Sequence, residues 1–166
     1  MARRPSDDSS AERIGRLYDR FAPALYRYAV IVLADPVAAS DVVQQVFVNL
    51  LRRRSEEIDE DERYLRRAVR NECFTNLRRR RRDASSRVAS PLLEPAGSID
   101  DVEVRLMIEQ ALRALPPEQR EVVHLKVYEG MTFQEIASFI DEPLNTVASR
   151  YRYAMDKLRA QLGASR

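Results

Sequence analysis

The sequence TFQEIASFIDEPLNTVASRYRYA, residues 132–154, decides the fold of this chain. Apolar residues recur in it every three or four positions, which predicts two amphipathic helices. The positions expected to be buried are Phe133, Ile136, Ala137 and Ile140 in the first helix and Val147, Tyr151, Ala154 and Leu158 in the second. Between them Pro143 cannot continue a helix, and Asn145 or Thr146 can cap the next one by accepting backbone N–H bonds. The stretch therefore predicts a helix-turn-helix.

The second helix of such a motif lies in the major groove of DNA, with its first residues facing the bases. The side chains able to reach bases or phosphates are Asn145, Thr146, Ser149, Arg150, Arg152 and Tyr153. A plain helical hairpin with solvated polar residues is the alternative interpretation. A glycine often follows the small residue of the first helix, here Ala137, by four positions. This chain has Asp141 there, and Asp tolerates the left-handed conformation better than most residues.

Composition favours an all-α protein with two small domains. The 166 residues include only four glycines and show no period-two alternation of β-branched residues. Cys73 is the single cysteine, which excludes an internal disulfide, and the single histidine, His124, is expected to be structural. With no histidine pair and no Gly-rich phosphate loop, the sequence nominates no catalytic residue, no metal ligand and no cofactor.

Four segments are expected along the chain. Residues 1–11 are polar and predict a disordered N-terminus. Residues 12–82 carry three helical runs, with Pro23 at a kink or a junction. Residues 83–99 have no sustained period and predict a flexible linker. Residues 100–162 form the second domain.

Within these domains the apolar residues predict which helix faces point inward. The stripe of the second helical run is Val42, Val43, Val46, Phe47, Leu50 and Leu51, and Cys73 is a small core residue of the third. An acidic loop spans Ser55 to Glu62. In the second domain a helix is expected from Pro117 through Val127, and Gly130 stops it before Thr132 caps the next.

Basic charge is concentrated in the first half of the chain. Residues 1–83 contain 18 Arg and 14 acidic residues, whereas residues 84–166 contain 10 basic and 12 acidic residues. Five consecutive arginines, 78–82, form a collar around a helix, and Arg63, Arg66, Arg67 and Arg70 make one side of it basic. Such a ridge can track a phosphate backbone, and Tyr64 and Phe74 add rings that can hold unstacked bases. A solvated charge run is the alternative.

Targeting signals are not recognised in the sequence. Residues 1–12 are polar, unlike a secretory signal, and the apolar run of residues 29–34 is too short to cross a bilayer. We therefore expect a cytoplasmic protein without membrane insertion.

Several motifs resemble those of a known family. Asp41-Val42-Val43-Gln44-Gln45-Val46-Phe47, with Tyr64-Leu65, Asn71 and Leu77-Arg78-Arg79, resembles the second conserved region of bacterial RNA polymerase sigma factors. Leu115-Pro116-Pro117 with Arg120, Glu135-Ile136-Ala137, and Asn145-Thr146-Val147 with Ser149-Arg150 resemble the fourth. The layout over residues 12–162 is similar to that of the extracytoplasmic-function (ECF) group of the sigma-70 family. The resemblance implies a non-catalytic specificity subunit that directs transcription initiation.

The resemblance also implies a role for individual residues. It implies that the β′ clamp of core polymerase is bound by Asp41, Gln44, Gln45 and Asn49. It implies that the minus-ten element is read and opened by the acidic loop and by Tyr64, Arg67, Arg70, Asn71, Asn76, Arg78 and Arg79. The helix-turn-helix reads the minus-thirty-five element and touches the β flap. An anti-sigma factor is a further partner that the resemblance implies.

Three positions depart from the family pattern. Tyr64 stands where a tryptophan is frequent, Asn76 where an aspartate is frequent, and Ala148 where a longer polar residue often reaches DNA. Ala148 leaves base contacts to its neighbours, so the resemblance implies no promoter sequence. Two other functions stay open at this point: a stand-alone repressor or activator that dimerises through its N-terminal helices, and a helical adaptor that binds only protein.

Overall fold

A computed structural model describes residues 5–53, 62–83 and 99–163, with side chains for 11–52, 62–82 and 102–163. All regular structure within these ranges is helical, which confirms the all-α prediction. The α-helices are α1 (Pro5–Leu33), α2 (Pro36–Arg53), α3 (Glu62–Asp83), α4 (Ile99–Arg113), α5 (Pro117–Val123), α6 (Phe133–Ile140) and α7 (Leu144–Gly163), and a π-helical segment spans His124–Tyr128. Most of the predicted acidic loop and linker lies outside the described residues.

Helix α1 differs from the sequence-based expectation at two points. It begins at Pro5, inside the segment predicted to be disordered, because proline suits the first turn of a helix, where no N–H is needed. It also continues through Pro23 as one helix rather than ending at a junction. Proline inside a helix costs about 3 kcal/mol. Burial of Phe21 and Leu25 on either side offsets that cost.

The described residues divide into two compact units. The first unit contains residues 5–30, 37–53 and 62–83, and the second contains residues 31–36 and 99–163. The sequence analysis had placed all of residues 12–82 in the first domain. Each unit has its own buried apolar core, as the three- and four-residue spacing requires.

The core of the first unit draws on the inward faces of its three helices. The buried residues include Leu25, Tyr28 and Ala29 of α1, Val42, Val43, Val46, Phe47 and Leu50 of α2, and Leu65, Val69 and Cys73 of α3. Tyr18 packs edge-on against Phe47 with ring centroids 5.0 Å apart. The prediction that Cys73 is a core residue is confirmed. The prediction for Leu51 was wrong: it is 47% exposed because it lies at the edge of the α2 stripe, one position past the buried Leu50.

The core of the second unit forms around α7. Val147 and Ala154 of that helix are fully buried, and Tyr151 and Leu158 are half-buried beside Leu115 and Val123. Phe133 and Tyr151 meet edge-on at 5.3 Å. Ile136, Ala137 and Ile140 of α6 are buried, as the spacing predicted, whereas Phe133, also predicted to be buried, is half-buried.

Helix α5 does not continue to Val127 as predicted. It ends at Val123, and a π-helical turn follows in which the Glu129 N–H donates to the His124 carbonyl, five residues back, at 3.2 Å. The His124 ring stacks on Tyr128 and pairs with the Glu129 carboxylate at 3.1 Å. These contacts support the extra residue in the turn and leave Val127 64% exposed. The expected structural role of His124 agrees with its burial.

The corner between α4 and α5 is closed by Arg120. Its Nη1 donates to the carbonyl oxygens of Leu112 and Arg113, the last two residues of α4, and of Leu115 in the following turn, at 3.3 Å each. Burial, with the nearby Arg113 charge, lowers the pKa of Arg120 to about 10. Arg120 of the Leu115–Arg120 motif therefore stabilises the fold through these hydrogen bonds, and it stays charged at neutral pH.

Candidate nucleic-acid interface

The outer face of α2 carries the four residues predicted to dock on polymerase. Asp41, Gln44, Gln45 and Asn49 are all exposed, and their spacing of three, four and eight residues from Asp41 places them on one side of the helix. Gln45 Nε2 donates to Asn49 Oδ1 at 2.9 Å. We call these four residues the α2 patch. Their amides and carboxylate form a polar surface with donors and acceptors for a partner.

Two exposed apolar side chains adjoin the α2 patch, and the sequence analysis did not assign them to it. Val48 is 37% exposed and Leu51 is 47% exposed. They follow Gln44 by four and seven positions, so they continue the same helical face. The spacing of Val48 from Asp41 could have identified it, whereas Leu51 had been assigned to the core.

A cleft separates α2 from α3, with a cavity volume of about 460 Å³. Three residues predicted to read the minus-ten element line it: Tyr64, Arg67 and Asn71. The rest of its lining is Val46, Asn49 and Leu50 of α2 and Ala68, Glu72 and Thr75 of α3. The structure thus gathers a phenol ring, a guanidinium and an amide around one concave, partly apolar space. We call it the α2–α3 cleft.

A second, more polar hollow of about 370 Å³ lies between the same helices. Its lining includes Asp41, Gln45 and Asn49 of the α2 patch together with Asn76 and Arg79 of α3. The Asn76 Oδ1 atom is buried there without a hydrogen-bond partner. The α2 patch and the residues predicted to read the minus-ten element are therefore neighbouring surfaces of one unit.

The remaining candidates on α3 line neither hollow. The Arg70 guanidinium lies over the Phe74 ring, 4.8 Å from its centroid, and Arg78 Nη2 donates to Thr75 Oγ1 at 2.9 Å. Stacking on an aromatic face orients a guanidinium. The structure therefore separates Arg70 and Arg78 from the residues of the α2–α3 cleft.

Two local features define the ends of α6, the first helix of the helix-turn-helix. At the start of α6, Thr132 Oγ1 accepts from the Glu135 N–H at 3.2 Å, and the Glu135 carboxylate accepts from the Thr132 N–H at 2.7 Å. This capping box confirms the predicted Thr132 cap, and its hydrogen bonds lower the pKa of Glu135. At the end of α6, Asp141 adopts the left-handed conformation with φ 56°.

The predicted cap of α7 was wrong. The helix begins at Leu144, so Asn145 and Thr146 lie inside its first turn. The carbonyl of Pro143 accepts from the N–H groups of Thr146 and Val147 at 2.9 and 3.1 Å. Pro143 thus precedes the helix, where its missing N–H costs nothing. Asn145 is consequently exposed rather than folded back on the backbone.

The solvent side of α7 presents a row of polar side chains. At about 100° per residue, Asn145, Ser149, Arg152 and Tyr153 fall on the side opposite the buried Val147 and Ala154. Arg152 lies over the Tyr153 ring, 5.2 Å from its centroid, and Tyr153 is 54% exposed. We call Asn145, Ser149, Arg152 and Tyr153 the α7 row. Within the row Ser149 is half-buried, and Thr146 and Ala148 beside it are half-buried too.

Arg150 is the predicted DNA contact that the structure places differently. Its Nη2 donates to Glu142 Oε1 at 2.8 Å, across the turn that precedes α7. Glu142 was not among the residues predicted from the sequence. The only sequence feature that could have predicted the ion pair is an acidic residue in the turn, eight positions before Arg150.

Fold and site define a two-unit helical protein whose second unit carries a helix-turn-helix. The family model described as Sigma-70 region 2 matches residues 17–83, and that described as Sigma-70, region 4 matches residues 105–158. The ECF RNA polymerase sigma factor SigL of Mycobacterium tuberculosis is 30% identical over 154 residues, covering 88% of this chain and 86% of that protein. The RNA polymerase sigma-E factor of Streptomyces avermitilis is 30% identical over 141 residues, covering 84% and 79%. The chain belongs to the sigma-70 family of RNA polymerase sigma factors, in its ECF group.

Solved structures agree on the fold. The sigma factor RpoE of Bartonella quintana, in complex with the anti-sigma factor NepR, superposes with a TM-score of 0.70 at 23% identity, covering 93% of this chain and 99% of that one. CnrH, in complex with the cytosolic domain of CnrY, gives a TM-score of 0.63 at 23% identity, covering 97% and 94%.

Two surveys of the described residues bear on other functions. Among them, no cluster of three or more His, Cys, Asp or Glu side chains could hold a metal ion. No helix in the described part of the chain has the length and apolarity needed to cross a membrane.

Proposed function

We propose that this chain docks on core RNA polymerase and directs it to promoters by contacting a minus-ten element with its first unit and a minus-thirty-five element with its second. It acts in the cytoplasm as a specificity subunit and carries out no chemistry itself. The observation that carries the proposal is the α2–α3 cleft, which gathers Tyr64, Arg67 and Asn71 on one unit of a chain that also holds a helix-turn-helix.

Minus-ten recognition by the first unit rests on the chemistry of the cleft. A base that leaves the duplex loses its stacking, and an aromatic ring such as Tyr64 can restore part of it. The Asn71 amide can donate to and accept from a base edge, and Arg67 can pair with the adjacent phosphate. Asn76, Arg70, Arg78 and Arg79 extend the polar and basic surface along α3. Strand opening is then favoured by capture of the exposed strand, without nucleotide hydrolysis.

Minus-thirty-five recognition by the second unit rests on the α7 row. Its amide, hydroxyl, guanidinium and phenol groups offer both donors and acceptors to a major groove, and Thr146 stands beside them. Arg150, which the sequence also nominated, is held by Glu142 at the flank of this row and is not assigned a base contact. The same unit contacts the β flap of polymerase.

Polymerase docking rests on the α2 patch, which we assign to the β′ clamp. An anti-sigma factor is a further partner, because the RpoE structure that is similar in fold is a sigma factor bound to the anti-sigma factor NepR. Co-purification from the native host tests this partner. Recovery of the chain only free or with polymerase would count against it.

Transcription in vitro tests the proposed function directly. The purified chain is combined with bacterial core polymerase on a genomic fragment library, and the run-off products are sequenced. We expect new start sites that share two upstream elements. Salt-sensitive binding of the chain to duplex DNA without any initiation would instead identify a stand-alone repressor or activator.

A double substitution in the α2 patch separates these functions. Gln44→Ala with Gln45→Ala removes two amides, and since each hydrogen bond contributes about 0.5–1.5 kcal/mol, polymerase affinity should fall about tenfold. Affinity is measured by fluorescence titration with core polymerase and no DNA. Gln134→Ala, which removes an exposed amide from α6, is the matched control. Equal affinities for both variants would exclude the α2 patch as the docking surface.

A further inference from the structure

The turn of the helix-turn-helix contains an ion pair that has no role in the function proposed so far. Glu142 lies in the turn between α6 and α7, and Arg150 lies in the second turn of α7. Arg150 Nη2 and Glu142 Oε1 are 2.8 Å apart, with side-chain exposures of 23% and 33%. A contact this short between half-exposed side chains fixes the guanidinium on the turn side of the helix.

In this conformation the ion pair prevents the Arg150 guanidinium from binding DNA with two N–H groups. A guanidinium recognises guanine or phosphate with two parallel N–H groups. In Arg150, Nη2 is engaged by Glu142, and Nη1 is buried without a hydrogen-bond partner. At about 100° per residue, Arg150 also lies about 140° around α7 from Asn145, at the flank of the α7 row. Its charge is therefore held away from the surface that faces a groove.

We propose that Glu142 is a positioning and specificity-determining residue of the helix-turn-helix, which withholds Arg150 from DNA phosphates. This inference rests on the proposed function, because it requires the α7 row to face duplex DNA. Phosphate contacts are the same for every sequence, whereas base-edge contacts differ between base pairs. Because Arg150 is withheld from phosphates, a larger share of the DNA affinity comes from uncharged side chains such as Asn145 and Ser149.

The carboxylate of Glu142 acts in the same direction by its own charge. The turn immediately precedes the first turn of α7, the part of a recognition helix that approaches DNA. An anionic side chain there repels the phosphate backbone unless a cation neutralises it, and Arg150 supplies that cation. The ion pair has no net charge and therefore neither attracts nor repels the phosphate backbone strongly. Arg150 alone would attract the backbone, and Glu142 alone would repel it.

Equilibrium binding of the full chain tests this role. The probe is a short fluorescent duplex of mixed sequence, followed by anisotropy over a salt series. Glu142→Gln keeps the shape of the side chain and removes its charge. We expect it to tighten binding about fivefold at low salt and to steepen the log-log salt slope by about 0.9, the value for one more neutralised phosphate. Arg150→Ala alone leaves the Glu142 carboxylate without its neutralising cation and should weaken binding at low salt.

The double variant assigns the effect to the pair. Combining Glu142→Gln with Arg150→Ala should return both the affinity and the salt slope to near the wild-type values. Asp156→Asn is the matched control: it removes one negative charge and an ion pair with Arg159 from α7, six residues past Arg150, and should leave the slope unchanged. Circular dichroism of each variant confirms that the helices are intact.

The outcomes distinguish the inference from the proposed function. If the wild-type chain binds DNA with salt dependence and Glu142→Gln binds identically, the inference fails and the proposed function stands. If Glu142→Gln gains affinity but the gain persists without Arg150, the carboxylate acts alone and the withholding of Arg150 is overturned. If the wild-type chain and all variants show no salt-dependent binding to DNA, alone or with polymerase, the proposed function fails and the inference with it.

Discussion

The helices α3 and α7, which we assign to the two promoter elements, carry charge in different ways. Helix α3 contains nine arginines and three acidic residues in 22 positions. Helix α7 contains four basic residues in 20 positions, and two of them, Arg150 and Arg159, form ion pairs with Glu142 and Asp156. An arginine-rich helix attracts any phosphate backbone, whereas a helix with restrained charge leaves discrimination to polar groups. Under the proposed function, we therefore expect the first unit to capture a strand mainly by charge and the second unit to read a duplex mainly by polar contacts.

The cores of the two units provide the strongest test of this division. Ile136 in the second unit and Val69 in the first are both fully buried. Ile136→Ala should destabilise the second unit by about 3 kcal/mol, and Val69→Ala should destabilise the first by about 2 kcal/mol, because each leaves a cavity. Urea unfolding is followed by amide resonances from each unit. We expect each substitution to lower the midpoint of its own unit alone, and a joint shift would show that the units fold cooperatively.

Substitution of Tyr64 tests whether the first unit captures an open DNA strand independently of duplex binding by the second unit. Tyr64→Ala should weaken capture of the open strand about tenfold, since stacking of a base on a ring contributes about 1–3 kcal/mol. Permanganate reactivity of unpaired thymines at a promoter found by transcription measures the opening, and duplex binding by the second unit should not change. Tyr64→Phe keeps the ring and should retain most of the opening. Equal loss in both variants would assign the effect to the hydroxyl and contradict stacking.

The capping box gives the smallest expected effect, confined to the second unit. Thr132→Ala should lower its stability by about 1 kcal/mol, because it removes the hydroxyl that caps α6. Thr132→Ser keeps the hydroxyl and should be nearly neutral. Urea midpoints of the two variants at neutral pH provide the measurement.

The same box should make the second unit sensitive to acid. Hydrogen bonds from Thr132 place the pKa of Glu135 below its ordinary value of about 4.3. Glu135 therefore contributes stability that is complete above that value and is lost as the pH falls through its lowered pKa in the folded state. Glu135→Gln should abolish this acid-dependent part of the urea midpoint. An unchanged pH profile would contradict the role of the carboxylate.

Local patterns in the sequence account for much of the second unit. Spacing predicted the buried faces of α6 and α7, and side-chain chemistry predicted the cap at Thr132. Gly130 has φ 69° just after the π-helical segment, as expected for a residue at a stop. These features involve residues within one or two turns of each other, so the sequence contains what determines them.

Features that depend on distant residues could not be predicted. The exposure of Leu51 depends on which helices cover α2, and the continuity of α1 through Pro23 depends on the packing around it. The α2–α3 cleft likewise needs two helices at a fixed distance. One prediction that involves only neighbouring residues also failed: α7 begins at Leu144, so Pro143, and not Asn145 or Thr146, occupies the position that precedes the helix.

The sequence by itself determined the all-α class, the helix-turn-helix and the resemblance to sigma factors, because periodicity, proline and capping residues act over a few neighbouring positions. Tertiary structure alone decided that Tyr64, Arg67 and Asn71 share one cleft and that Arg150 is held by Glu142. Those arrangements arise from side-chain directions after the helices and the turn have packed, and spacing along the chain does not encode them.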